Sequence, residues 1–251
     1  SIIVPSEDAG IRTVLEKGCW TSVERFSLDQ DYCGWNANSQ KSDGSSFLLS
    51  DANGKTVEIE WELKGKHNLR NAVAAAMAAH RVGISLEVIA NAICKFKGVK
   101  RRLELIGNIN GISIYDDFAH HPTAVLNTLK TARSLHSENR LIAAFEPRSN
   151  TSVQNMMQTE LEEALSLADR VLLSKPHRMN SIPESKRLNT KALTEKLNKH
   201  GIPASTHDNP DDILKTLKEE CRSGDTVMLM SNGAFGNLHQ RLLESLKREI
   251  K

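Results

Sequence analysis

The stretch Ile112-Ser113-Ile114-Tyr115-Asp116-Asp117-Phe118-Ala119-His120-His121-Pro122-Thr123 decides the fold. A short apolar run, Ile112–Tyr115, stops at two acids, crosses two imidazoles and reaches Pro122, whose fixed φ suits the first turn of a helix. The order is therefore strand, polar loop, helix. Working outward, the same order recurs: Leu141–Phe145 leads to Glu146-Pro147-Arg148, Val171–Leu173 to Ser174-Lys175-Pro176, and Thr226–Met230 to Ser231-Asn232-Gly233. Amphipathic spacing predicts helices near 123–135, 153–168, 190–199, 210–221 and 236–249. Strands alternating with helices of this length predict an α/β fold with a mostly parallel sheet covered on both faces. Ligands of such sheets collect beyond the carboxyl ends of the strands. That places interest on the loops beginning at Asp116, Glu146, Ser174 and Ser231.

Upstream the texture changes. Leu103–Ile106 and Ile112–Tyr115 surround Asn110-Gly111, and Phe47-Leu48-Leu49 and Val57–Trp61 flank Asn53-Gly54. Asn-Gly signals a hairpin because both residues tolerate positive φ. Residues 20–63 are strand-like and turn-rich, Leu69, Val73, Ala76 and Met77 form one helical stripe, and a second helix is predicted over Leu86–Phe96. Ile2–Val4 reads as a strand already in progress and Glu7–Glu16 as the helix after it, as expected of a piece excised from a longer chain. The shift in texture predicts two domains, 1–100 and 101–251.

Composition narrows the function classes. With 33 basic against 31 acidic side chains, charge gives no argument for nucleic acid or a membrane surface. No apolar run approaches the roughly 20 residues of a membrane helix, and the N-terminus lacks the basic and apolar segments of a signal peptide. Cys19, Cys33, Cys94 and Cys221 form no CxxC pair, which argues against zinc or a disulfide framework and fits a reducing cytoplasm.

Five segments could carry chemistry. Gly54-Lys55-Thr56 resembles the end of a phosphate-binding loop, but Leu49 stands where that loop needs its first glycine, and the segment reads as a hairpin turn. In Gly65-Lys66-His67-Asn68-Leu69-Arg70-Asn71, Asn68 stands where a helix should begin, as an N-cap. The Asn71 carboxamide has the donor and acceptor needed to read an adenine edge, or it caps and is solvated. The acids and imidazoles of Asp116–His121 can hold a metal, bond sugar hydroxyls or orient phosphates, or form a plain polar loop before Thr123. Arg148, in Phe145-Glu146-Pro147-Arg148-Ser149-Asn150-Thr151, can fork onto a carboxylate or phosphate, or make a surface ion pair. Ser231-Asn232-Gly233-Ala234-Phe235-Gly236 can bring backbone N–H groups to an anion.

Taken in order, these segments resemble the Mur ligase family over nearly the whole chain, although residues 1–60 contribute little. Gly65–Asn71 resembles the G-x-H-N-x-x-N at the end of the family's central ATPase domain. Gly98-Val99-Lys100-Arg101-Arg102 resembles its domain junction, where an arginine, here Arg102, faces the nucleotide phosphates. Asp116–Thr123 looks like the opening of the C-terminal domain in the muramate–alanine branch, whereas Phe145–Thr151 and Ser231–Gly236 look most like the branch that recycles murein peptides.

The resemblance implies an incomplete central domain followed by a Rossmann-like C-terminal domain, and an ATP-dependent amide-bond ligase. It places Asn68, Asn71, Arg102 and Asp117 on ATP, with Arg102, Asp117 and His121 at the reacting centre. Arg148, Ser149, Asn150, Ser231, Asn232, Gly233 and Phe235 would hold the tripeptide L-alanyl-γ-D-glutamyl-meso-diaminopimelate, to be joined to UDP-N-acetylmuramate. The phosphate-gripping loop, the principal Mg²⁺ ligands and the UDP-binding domain are expected before residue 1, so no metal ligand is assigned and the stretch alone is expected to be inactive. Three alternatives remain at this point: an L-alanine-adding ligase, a metal-dependent phosphoesterase using the two acids and two imidazoles, and a non-catalytic binding module.

Overall fold

The computed structural model describes residues 1–176 and 182–248. The chain divides into two compact units, Ser1–Gly98 and Val99–Lys251.

The first unit runs β1 (Ile2–Pro5), α1 (Ala9–Glu16), β2 (Val23–Ser27), β3 (Trp35–Ser39), β4 (Ser46–Ser50), β5 (Thr56–Glu60), α2 (Lys66–Arg81) and α3 (Leu86–Lys95). Its sheet has the order β1-β2-β3-β4-β5, parallel through β3 and antiparallel beyond. Phe47, Leu49 and Ile59 form its core with Leu69, Val73, Ala76 and Met77, the predicted stripe of α2. The Asn53-Gly54 hairpin forms between β4 and β5, but only Gly54 has positive φ. The Asp51 carboxylate builds the turn by accepting from the N–H groups of Asn53 and Lys55. Gly54-Lys55-Thr56 is thus a hairpin turn. Asn68 departs from expectation: α2 begins at Lys66 with Gly65 (φ 91°) at the cap, so Asn68 lies inside the first turn and donates to the Lys64 carbonyl at 2.8 Å. The helix starts earlier because Gly65 supplies a conformation closed to other residues.

The second unit runs β6 (Glu104–Ile109), β7 (Ile112–Asp117), α4 (Pro122–Leu135), β8 (Leu141–Phe145), α5 (Gln158–Leu165), β9 (Arg170–Ser174), α6 (Thr190–Lys199), β10 (Ala204–His207), α7 (Pro210–Glu220), β11 (Thr226–Met230) and α8 (Leu238–Arg248). The sheet order is β10-β9-β8-β11-β7-β6, with only β6 antiparallel. Alternate residues of a strand face opposite sides. Accordingly Ala143 and Phe145 of β8 share a core with Val125, Leu129, Leu161, Leu165, Leu193 and Leu197 of α4, α5 and α6. Ile142 and Ala144 share another with Ile213, Leu217, Leu238 and Leu242 of α7 and α8. The result is a three-layer α/β/α unit, as the strand–helix alternation predicts. Two differences stand out. The helix expected over 153–168 is shorter, with a 3-10 turn at Asn155–Met157 before α5, and β10 was not anticipated. Residue 249, where the last helix was expected to end, lies outside the described residues.

Chain order makes the site. The chain passes from β7 over β11 to β8, steps outward to β9 and β10, then returns to insert β11 between β8 and β7. The carboxyl ends of β7, β11 and β8 therefore lie side by side where the strand order reverses, the place where doubly wound sheets bind ligands.

Candidate functional site

Asp116 and Asp117 end β7, Phe145 ends β8 and Met230 ends β11. The Glu146 N–H donates to the Met230 carbonyl at 3.0 Å, and the Ser231 N–H to the Asp117 carbonyl at 3.1 Å. Three loops distant in sequence are thereby tied together at their roots.

The two acids diverge because neighbours on a strand face opposite sides. Asp117, 4% exposed, turns toward α4. Its Oδ1 accepts from the Ala119 N–H at 2.7 Å and the Thr128 hydroxyl at 3.2 Å, and its Oδ2 from the Leu103 N–H at 2.6 Å. Burial pushes its pKa up, against the pull of these bonds and of the nearby Arg102. Asp116 turns the other way, with Oδ2 3.2 Å from Arg101 Nε and 3.4 Å from His239 Nε2. A diverging pair cannot chelate one ion, and no group of three or more His, Cys, Asp or Glu among the described residues is placed to hold a metal. The phosphoesterase reading loses its basis there.

The two adjacent arginines also separate. Arg101, in left-handed backbone (φ 61°), reaches the Ser231 carbonyl with Nη2 at 2.6 Å while pairing with Asp116. Arg102 is exposed, with its guanidinium 5.9 Å from the Phe118 ring centroid. His121, also exposed, accepts the Thr123 N–H at 3.3 Å through Nδ1 and caps α4. The helix that starts near Thr123 is thus capped by an imidazole.

At the ends of β8 and β11 the expected residues converge. Arg148 lies across Gly233: a Cβ built on that glycine would sit 2.5 Å from Arg148 Cδ and 2.8 Å from Cζ. Glu146, 1% exposed, accepts from the Ser231 hydroxyl and lies 3.7 Å from Arg148 Nη1. Ser231 Oγ accepts the Gly233 N–H at 2.8 Å. Ser149 and Ser152 close the turn after Arg148, the Ser152 hydroxyl accepting from the N–H groups of Arg148 and Ser149. Asn150 is exposed and its carbonyl accepts from Gln154. Asn232 Oδ1 is buried without a hydrogen-bond partner. Phe235 differs from its neighbours: it is 1% exposed and packed among α7 and α8 residues, so it can offer a ligand only its backbone. Arg101, Glu146, Ser152 and His239 join the site without having been expected from the sequence. Glu146 follows a strand end directly and Arg101 lies in the Gly98–Arg102 segment, whereas Ser152 and His239, the latter inside α8, carry no signal in the sequence.

In the first unit Asn71 stands exposed on α2, on the same helix as the partly buried Asn68.

A doubly wound sheet with an antiparallel edge, carrying acids and arginines at its switch point, defines a ligand-binding α/β domain. The chain belongs to the Mur ligase family: the model of the Mur ligase, glutamate ligase domain matches residues 101–233, and that of the Mur ligase middle domain matches residues 2–79. It is 35% identical over 251 residues to the UDP-N-acetylmuramate–L-alanyl-γ-D-glutamyl-meso-2,6-diaminoheptandioate ligase of Escherichia coli (strain K12), covering all of this chain and 52% of that one. The enzyme of the same name from Haemophilus influenzae is 32% identical over 247 residues, 98% of this chain and 52% of that one. The crystal structure of a murein peptide ligase from Psychrobacter arcticus 273-4 superposes with a TM-score of 0.76 at 35% identity, covering 97% of this chain and 50% of that one. The chain spans about half the length of these relatives. The alanine-adding, phosphoesterase and binding-module alternatives are not favoured. No helix among the described residues is long and apolar enough to cross a membrane.

Proposed function

We propose that this chain supplies the peptide side of a cytoplasmic, ATP-dependent ligase that joins UDP-N-acetylmuramate to L-alanyl-γ-D-glutamyl-meso-diaminopimelate in peptidoglycan recycling. Residues 1–100 would contribute part of the central nucleotide domain and 101–251 the C-terminal domain. The observation that carries the reading is the seating of the exposed Arg148 guanidinium across Gly233 at the ends of β8 and β11. A fixed, forked cation suits a peptide bearing several carboxylates.

Amide formation of this kind rests on positioning and charge neutralisation rather than on a protein nucleophile. ATP would activate the muramate carboxylate by phosphorylation. Toward ATP, this chain offers the Asn71 carboxamide for the adenine edge, beside Asn68, and the exposed Arg102 for phosphate charge. Asp117 keeps one acceptor position for a ribose hydroxyl beyond the three it uses internally, with His121 on the same loop. Mg²⁺ has no clustered ligand set among the described residues, so no step here is assigned to it. Ser149, Asn150, Ser231 and Asn232 would line the peptide beside Arg148, with Gly233 and the Phe235 backbone behind them.

Arg148→Ala should weaken tripeptide binding by roughly tenfold or more, since a hydrogen bond to a charged group contributes about 1.5–3 kcal/mol. Calorimetric titration with the tripeptide checks this, and an unchanged affinity would remove Arg148 from the peptide site.

A further inference from the structure

The Arg148 side chain is placed by two groups, the Glu146 carboxylate and the Gly233 backbone. Glu146 is 1% exposed, and a carboxylate so buried is costly unless paired. Among its partners are the Ser231 hydroxyl on Oε2 and the Arg148 guanidinium near Oε1. Because Ser231 Oγ also accepts the Gly233 N–H, this one carboxylate organises the loops after both β8 and β11. Gly233 does not have positive φ, so its backbone alone does not demand glycine. The space a side chain would need is filled by Arg148 Cδ, Nε and Cζ, at 2.5, 2.7 and 2.8 Å from a built Cβ.

We propose that Glu146 and Gly233 are positioning residues that seat the Arg148 guanidinium, one by charge and one by leaving space, so that it meets a peptide carboxylate already ordered. A long side chain held in one rotamer before binding loses less entropy on binding. The inference rests on the reading of Arg148 as the peptide-side cation.

The test is a pair of double-variant cycles on the chain as it stands. Tripeptide is titrated into the wild type, Arg148→Ala, Glu146→Gln, Gly233→Ala, and each of the last two combined with Arg148→Ala. Glu146→Gln keeps an acceptor for Ser231, and urea denaturation reports whether each variant folds. Each single variant is expected to weaken binding roughly tenfold, and neither Glu146→Gln nor Gly233→Ala should add more than about twofold once Arg148 is gone. A second readout needs no peptide: the Arg148 Nε–H resonance should be distinct and slow to exchange in the wild type, and move toward the exposed-arginine position in both variants. Additive losses, or an Arg148 resonance unmoved by either substitution, would overturn the seating. If the wild type does not bind, or Arg148→Ala binds as well as the wild type, the peptide reading falls instead, and the resonance still decides the seating.

Discussion

At the scale of single residues, two carboxylates, Asp117 buried and Asp43 partly exposed, set opposite pH responses. Burial raises Asp117 above its ordinary value of 3.8. A folded-state pKa above the unfolded one means that its contribution to stability is complete below about pH 3.8 and is lost as pH rises through the folded value. Asp117→Asn should flatten that decline in urea-denaturation midpoints measured across the acid range. Asp117→Ala should cost about 3 kcal/mol, because the buried N–H of Ala119 and the partly buried N–H of Leu103 lose their acceptor. At Asp43 burial also works upward, but the bonds from Lys64 (2.7 Å) and Ser45 outweigh it and hold the carboxyl at about 2. Its contribution is present above pH 3.8 and lost as pH falls through about 2, so Asp43→Asn should remove that part of the acid limb. The strand-end rule made Arg148, Ser231 and Gly233 legible in the sequence as neighbours in space. It could not say that Phe235 turns into the core, or that Arg101 rather than Arg102 would be tied to Asp116. Those outcomes depend on side-chain direction, which letters in a motif do not carry.

At the scale of elements, the same dipeptide gave two different turns. Asn110 and Gly111 have φ of 56° and 78°, the pair of positive values that a two-residue mirror turn requires. Asn53-Gly54 does not, since Asp51 rebuilds that loop. Gly111→Ala meets both a left-handed backbone and the Ser223 hydroxyl, so it should destabilise the chain by about 1–3 kcal/mol in urea denaturation. The strands β8, β9 and β11 were readable because each is a run of buried apolar residues. Ala204-Ser205-Thr206-His207 carries no strand signal because β10 is an edge strand, half-buried throughout, that among the described residues pairs only with β9 and so needs no apolar run. Leu129→Ala, in the fully buried face of α4, should cost about 2–5 kcal/mol by the same assay.

At the scale of the whole molecule, each unit holds its own hydrophobic core. Residues 99–251 expressed alone should fold cooperatively, with a sigmoidal urea transition followed by circular dichroism; a gradual, non-cooperative loss of signal would contradict this. The late insertion of β11 between β7 and β8 has a consequence in time as well as in space. Thr226 pairs with Ser113 and with Leu141, partners made long before it during synthesis. Until β11 is made, β7 and β8 lack the neighbour that joins them in the finished sheet, and their edges are open to other partners. This domain therefore cannot finish its sheet from the N-terminus forward. Its exposure to misassembly ends only when β11 is inserted.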